Sequence, residues 1–109
     1  MSIADAIAAE LRQHVGRENA IKSGAIVAAI GLRKSAARTV RHIIADEDWE
    51  SREMLVVGIP GFGFYVANDI SECNAYLAFL IMLRDGLTAK IEKFTRSCAK
   101  QGLHLDEKA

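Results

Sequence analysis

Ser35-Ala-Ala-Arg-Thr-Val-Arg-His-Ile-Ile44 decides the reading of this chain. At helical period it has two faces. Ala36, Ala37, Val40, Ile43 and Ile44 recur at three- and four-residue steps on one side, and Arg38, Thr39, Arg41 and His42 fall mostly on the other. Arg33 and Lys34 stand just ahead, and Ser35 is placed as an N-cap. The stretch therefore predicts a helix over 35–45 with an apolar back and an Arg/Thr/His front. Such a front suits a groove lined with phosphates and base edges. A solvated amphipathic face has the same pattern, so the neighbouring segments decide between the two.

Working outward, Ile26, Val27 and Ile30 predict a small apolar helix over Gly24–Ile30, with an N-cap from Lys22-Ser23, a stop at Gly31 and Leu32 plugging the turn. Two helices joined by a short glycine-containing turn make a helix-turn-helix candidate. Upstream, Ser2 and Asp5 have capping-box spacing, and Ile3, Ile7, Leu11 and Val15 step by four. They predict a first helix over Ile3–Val15, ended by Gly16, whose stripe is expected to be covered by the C-terminal helix. A polar connection from Gly16 ends in a short extended segment at Ile21.

Downstream, Asp46-Glu-Asp-Trp-Glu50 reads as a solvated helix end with Trp49 folded back onto the core. A carboxylate metal site there lacks the glycine turn and terminal bidentate acid of a calcium loop. Met54–Val57 and Phe62–Ala67 read as antiparallel strands around Gly58-Ile-Pro-Gly61, whose composition is that of a tight turn. A phosphate cradle is a poor fit for these glycines, because no Lys-Ser/Thr follows and no helix starts at the loop. A strand pair directly after a helix-turn-helix has the position of a wing.

From Glu72 to Lys100 there is no proline and one glycine, Gly86. Ser71 or Asp69 is placed as the cap of this long helix. Tyr76, Leu80, Leu83, Leu87, Ile91 and Phe94, followed by Cys98, make a near-heptad seam that predicts a symmetric homodimer. The expected fold is thus mainly α with a small β-hairpin (α+β): a winged helix-turn-helix domain over 1–70, a long C-terminal helix over 71–101, and a polar tail over 102–109.

Composition bounds the rest. The 109 residues fit one domain, half of them hydrophobic. Met1–Glu10 lacks the basic start and continuous apolar run of a secretory leader, and the densest apolar run, Tyr76–Leu83, is too short to span a membrane. On one continuous helix Cys73 and Cys98 would stand ~37 Å apart at ~1.5 Å per residue, beyond disulfide reach, which fits a reducing, cytoplasmic setting. Net charge is zero but uneven. Met1–Ala45 has seven Lys/Arg against three Asp/Glu, Asp46–Glu72 one against seven, and Cys73–Ala109 six against four. His14, His42 and His104 are scattered, with no acid or nucleophile at supportive spacing. Cys73 stands near a helix start with no histidine beside it in sequence. No enzyme, cofactor, metal or small-molecule substrate is expected.

The ordered segments Gly16-Arg-Glu-Asn-Ala-Ile21, Gly31-Leu32, Val40-Arg41 with Ile44, Gly63-Phe-Tyr-Val-Ala67, Ser71-Glu72 and Leu83-Arg84 together resemble small phage and prophage winged helix-turn-helix proteins. The resemblance covers about 16–100 and implies a DNA-binding fold. Three departures stand out: a longer Gly31-to-Val40 stretch, the acidic run at Asp46–Glu50, and a Val57–Phe62 wing without Lys or Arg. The function expected is sequence-specific binding of double-stranded DNA, in transcription regulation or replication, with the 35–45 helix in the major groove. Arg38 is the candidate for a bidentate guanine contact, and Thr39 and His42 for further base edges. Lys22, Arg33, Lys34 and Arg41 are phosphate candidates, with Ser35 at the same interface. A salt bridge from Arg41 to the acidic run is the alternative for that residue. A dimer would read half-sites about one turn apart. The alternative function is a protein-interaction module that uses the long helix and the uncharged wing.

Overall fold

In a computed structural model that describes residues 2–103, the chain is mainly helical, with one antiparallel two-stranded hairpin and a long C-terminal helix. This is the α+β class expected. His104 and the rest of the tail lie outside the described residues. The chain forms two compact units, Met1–Asn74 and Ala75–Ala109.

Helix α1 spans Ile3–Leu11. The Ser2 hydroxyl accepts from the Asp5 N–H at 3.0 Å, and the Asp5 carboxylate accepts from the Ser2 N–H at 3.2 Å, closing the capping box. The Ser2 N–H first, and the Arg52 guanidinium after it, hold the Asp5 carboxyl below its ordinary value. The helix ends four residues before the expected Val15, and Gly16 is not what stops it. His14 and Gly16 are taken by the strand around Val66 instead: the Val66 N–H donates to the His14 carbonyl and the Gly16 N–H to the Val66 carbonyl, each at 2.8 Å. The four-step apolar pattern runs on to Val15, but its backbone pairs sideways.

Helix α2 (Ser23–Ala29) and helix α3 (Ala37–Asp46) cover the apolar stripe of α1, the task expected of the C-terminal helix. Ile7 and Leu11 from α1, Ile26 and Val27 from α2, and Val40 and Ile44 from α3 form the core with Ile21 and Met54. Each fully buried side chain of this size stabilises the fold by about 1.5–3 kcal/mol.

After α3, the Trp49 indole N–H donates to the Ile44 carbonyl at 2.8 Å, which satisfies one of the orphan acceptors of the helix end. The expected fold-back of Trp49 is therefore present. Arg52 joins this loop to α1, bonding Asp5 and Glu47 at 3.0 Å each.

Strands β1 (Val56–Ile59) and β2 (Gly63–Val66) pair with Val56 opposite Val66 and Ile59 opposite Gly63. The first strand starts two residues later than expected. Met54 is spent on the core, its N–H donating to the Trp49 carbonyl. The turn is correspondingly later: Phe62 N–H donates to the Ile59 carbonyl across Pro60-Gly61, with Gly61 at φ +79, as a type II turn requires. The outer edge of β2 is covered rather than free, since Val15 bridges Val66 and Ile21 bridges Phe64.

Helix α4 spans Ile70–Lys100. Of the two candidate caps, Asp69 serves, its carboxylate accepting from the Glu72 N–H at 2.9 Å. Glu72 in turn accepts from the backbone N–H of Asn68 at 2.6 Å and of Arg17 at 2.7 Å. That last bond joins two of the short motifs noted in the sequence across 55 residues. Cys73 and Cys98 lie on this one helix as free thiols. No described helix is long and apolar enough to cross a membrane.

Candidate nucleic-acid interface

The turn between α2 and α3 sets the direction of α3. Gly31 takes φ +78, its N–H donates to the Ala28 carbonyl, and the Leu32 N–H reaches back to the Val27 carbonyl at 2.9 Å. This is a Schellman ending, and half-buried Leu32 packs onto the core beneath it as expected. Ser35 does not cap α3. Lys34–Ala36 form a 3₁₀ turn, and α3 begins at Ala37 with Ala36 in the cap position and no side-chain cap bond. Ser23 does not cap α2 either. Lys22 holds the cap position, without a side-chain bond.

With Val40 and Ile44 buried, Arg38 and His42 stand on the exposed front of α3, Arg41 on one flank and Thr39 on the other. Lys22, Arg33, Lys34 and Ser35 are also exposed. The two flanks differ in charge.

On the Arg41 flank lies a cleft of about 550 Å³ between the start of α2, α3 and the hairpin turn. Lys22, Ser23 and Arg41 form one side, and Ile59, Pro60, Gly61 and Phe64 the other. Two glycines make its shape possible. A Cβ on Gly63 would lie 2.8 Å from the Ile21 carbonyl oxygen, so only glycine lets β2 sit this close to the segment that ends in Lys22. A Cβ on Gly58 would lie 2.8 Å from the Phe64 ring, which lies across that position. Arg41 is not bridged to the acidic run. Its guanidinium donates to the Ser23 hydroxyl at 3.1 Å, and Glu47 is taken by Arg52. Among the described residues no ion pair involves Lys22, Arg33, Lys34, Arg38 or Arg41. Their charge is directed at solvent. Ser23 was not among the expected interface residues. Its signal is spatial, since it meets Arg41 from 18 residues away.

On the other flank, a shallower groove of about 290 Å³ is lined by Ala4, Thr39, His42, Ile43, Asp46 and Glu47. Thr39 and His42 therefore border carboxylates, apart from Lys22 and Arg41. Asp48 of the acidic run is engaged locally: the Ser51 hydroxyl at 2.6 Å, and then its N–H, hold the carboxyl below its ordinary value. Among the described residues no group of acidic, histidine and cysteine side chains is placed to hold a metal ion.

At the hairpin turn Phe62 is exposed, with the Arg17 guanidinium 4.9 Å from its ring centroid and Tyr65 meeting it edge-on at 6.3 Å. The expected seam on α4 lies open over most of its length: Leu80, Leu83, Leu87, Ile91 and Phe94 are 42–64% exposed, and Tyr76 is half-buried.

Compared with known protein families, with curated proteins and with solved structures, the chain matches none.

Proposed function

We propose that this chain is a winged helix-turn-helix protein that binds double-stranded DNA sequence-specifically, as a phage-type transcription regulator or replication accessory. In this reading α2 and α3 are the helix-turn-helix and the hairpin is the wing. The observation that carries it is the cleft beside α3, where Lys22 and Arg41 stand free of carboxylates next to exposed Arg38.

The roles follow from the charges. Helix α3 enters the major groove, and Arg38 on its front reads guanine O6 and N7. Lys22 and Arg41 take the phosphate strand that the cleft admits, with Ser23 orienting the Arg41 fork. Arg33, Lys34 and Ser35 meet phosphates at the approach to α3. Thr39 and His42 border Asp46 and Glu47, whose carboxylates repel phosphate. They meet base edges instead, where a carboxylate accepts from a cytosine amino group. The wing has no cation, so Pro60 and Phe62 contribute apolar contact and Gly61 its backbone N–H, Pro60 having none and that of Phe62 being held by the Ile59 carbonyl. A cytoplasmic setting fits the two free thiols.

Selection from a random duplex library at two salt concentrations tests this reading. Enriched sequences and a negative salt slope are expected. Arg38→Ala is expected to cost about 1–3 kcal/mol at one base position, and Lys22→Ala to lower the salt slope by about one. No enrichment and no slope would falsify DNA binding. A second reading, a protein-interaction module, is favoured by the exposed apolar residues of α4. Partner binding that survives Arg38→Ala and Arg41→Ala, alongside undetectable DNA binding, selects it.

A further inference from the structure

One stripe of apolar residues on α4 is spaced symmetrically. Leu87 stands at the centre, Leu83 and Ile91 lie four residues to either side and Leu80 and Phe94 seven; half-buried Tyr76 and buried Cys98, at eleven, end the stripe. A seam that reads the same in both directions is what an antiparallel two-fold pair requires, because each residue then meets its mirror position in the partner. We infer that α4 pairs antiparallel with α4 of a second copy of this chain, with the dyad at Leu87.

Three observations favour this arrangement over a parallel one. Leu80, Leu83 and Leu87 begin a heptad whose next core positions are 90, 94 and 97, occupied by Lys90, Phe94 and Ser97. A parallel pair keeps Ile91 rather than Lys90 on its seam only by unwinding locally at the 87–91 step. In the antiparallel pair the two four-residue steps around Leu87 fall at the crossing, and each half of the seam keeps its own spacing. Leu80 then faces Phe94 and Leu83 faces Ile91, instead of Phe94 meeting Phe94.

The charges agree. Up to Leu83 the helix carries one charged residue, Glu72, whereas Lys90, Lys93, Arg96 and Lys100 against Glu92 fill its second half. An antiparallel pair lays the uncharged half of one copy along the basic half of the other. A parallel pair sets the two basic halves side by side. At the centre Gly86 has no heavy atom within 4 Å of an added Cβ, which leaves open space beside Leu87. The exposed area is in keeping. Leu80, Leu83, Leu87, Ile91 and Phe94 share the stripe and are 42–64% exposed. At ~100 Å² each they supply about 500 Å² of the ~800 Å² that one partner contributes to an interface of standard size. The pairing depends on α4 alone and is independent of the DNA reading.

Cysteine cross-linking separates the geometries, in the full chain with Cys73→Ser and Cys98→Ser. Positions 80 and 94 of one helix are ~21 Å apart, too far to bridge within a chain. Leu80→Cys with Phe94→Cys is expected to form a covalent dimer on mild oxidation, while each single variant stays uncrosslinked. The unmodified chain is expected at the mass of two copies, and Leu87→Glu at the mass of one. A single-chain mass at tens of micromolar, a mass above two copies, cross-linking of either single variant, or no cross-link in the double variant overturns the inference.

Discussion

The two units of this molecule treat apolar residues in opposite ways. In Met1–Asn74, short helices of seven to ten residues and a hairpin turn their large aliphatic side chains onto one another, and Ile7, Leu11, Ile26 and Val40 have no exposure at all. In Ala75–Ala109, residues of the same kind remain open, with Leu87 60% and Phe94 64% exposed. The difference lies in the neighbours each segment has. Three helices and a strand pair at close range complete a core, and a lone helix has only one apolar side to offer. The first unit is thus finished within one chain. The second leaves its apolar surface exposed.

Substitutions that strike the two units differently sharpen this contrast. The largest effect is expected from Leu11→Ala, which opens a cavity in the closed core and should cost about 2–5 kcal/mol in urea unfolding. Leu87→Ala, in the open unit, should leave that transition in place and weaken only self-association. Next comes Gly63→Ala. At φ +128 and with the new Cβ 2.8 Å from the Ile21 oxygen, it strains the backbone and pushes β2 off its edge partner, an expected loss of about 1–3 kcal/mol or more. A smaller loss, about 1 kcal/mol, is expected for Ser2→Ala, which removes the hydroxyl that caps α1. Gly86→Ala has the opposite sign. Its site is helical with open space around it, so the change should raise α4 helicity and thermal stability by about 0.5–1 kcal/mol.

The smallest effect concerns acid. The Asp5 carboxyl is held below its ordinary value in the folded chain, by the Ser2 N–H first and Arg52 second. The folded value is the lower one, so the stabilisation is complete above the unfolded pKa and is lost as pH falls towards the folded one. Urea midpoints taken from neutral pH down to about pH 3 should decline, and Arg52→Ala should flatten part of that decline.

What the sequence made legible was local. The Ser2/Asp5 box, the Gly31-Leu32 turn, the Pro60-Gly61 hairpin and the unbroken run of α4 each declare themselves within six residues or by sheer length. The features that escaped it join distant residues. Nothing near Val15 announces that Val66 will bond the backbone of His14 and Gly16 on either side of it, and nothing near Arg41 points to Ser23. The two flanks of α3 could not be told apart from its own residues, because their charge is set by Lys22 on one side and by the loop after Asp46 on the other. Main-chain pairing and the shape of the cleft both depend on what the fold brings alongside.

The Glu72 carboxylate also bears on timing. It accepts the Arg17 N–H, and it lies 55 residues further along the chain. During synthesis the helices around the core and both hairpin strands leave the ribosome before residue 72 does. Until it follows, the Arg17 amide lacks its anionic partner, and the turn at Arg17–Asn19 is held by the Asn19 side chain on the Val15 carbonyl, the His14 ring on the Asn19 carbonyl and Arg17 over Phe62. That bond is made by the first turn of α4, so a chain interrupted just before it would carry every residue of the buried core cluster and still lack that closure.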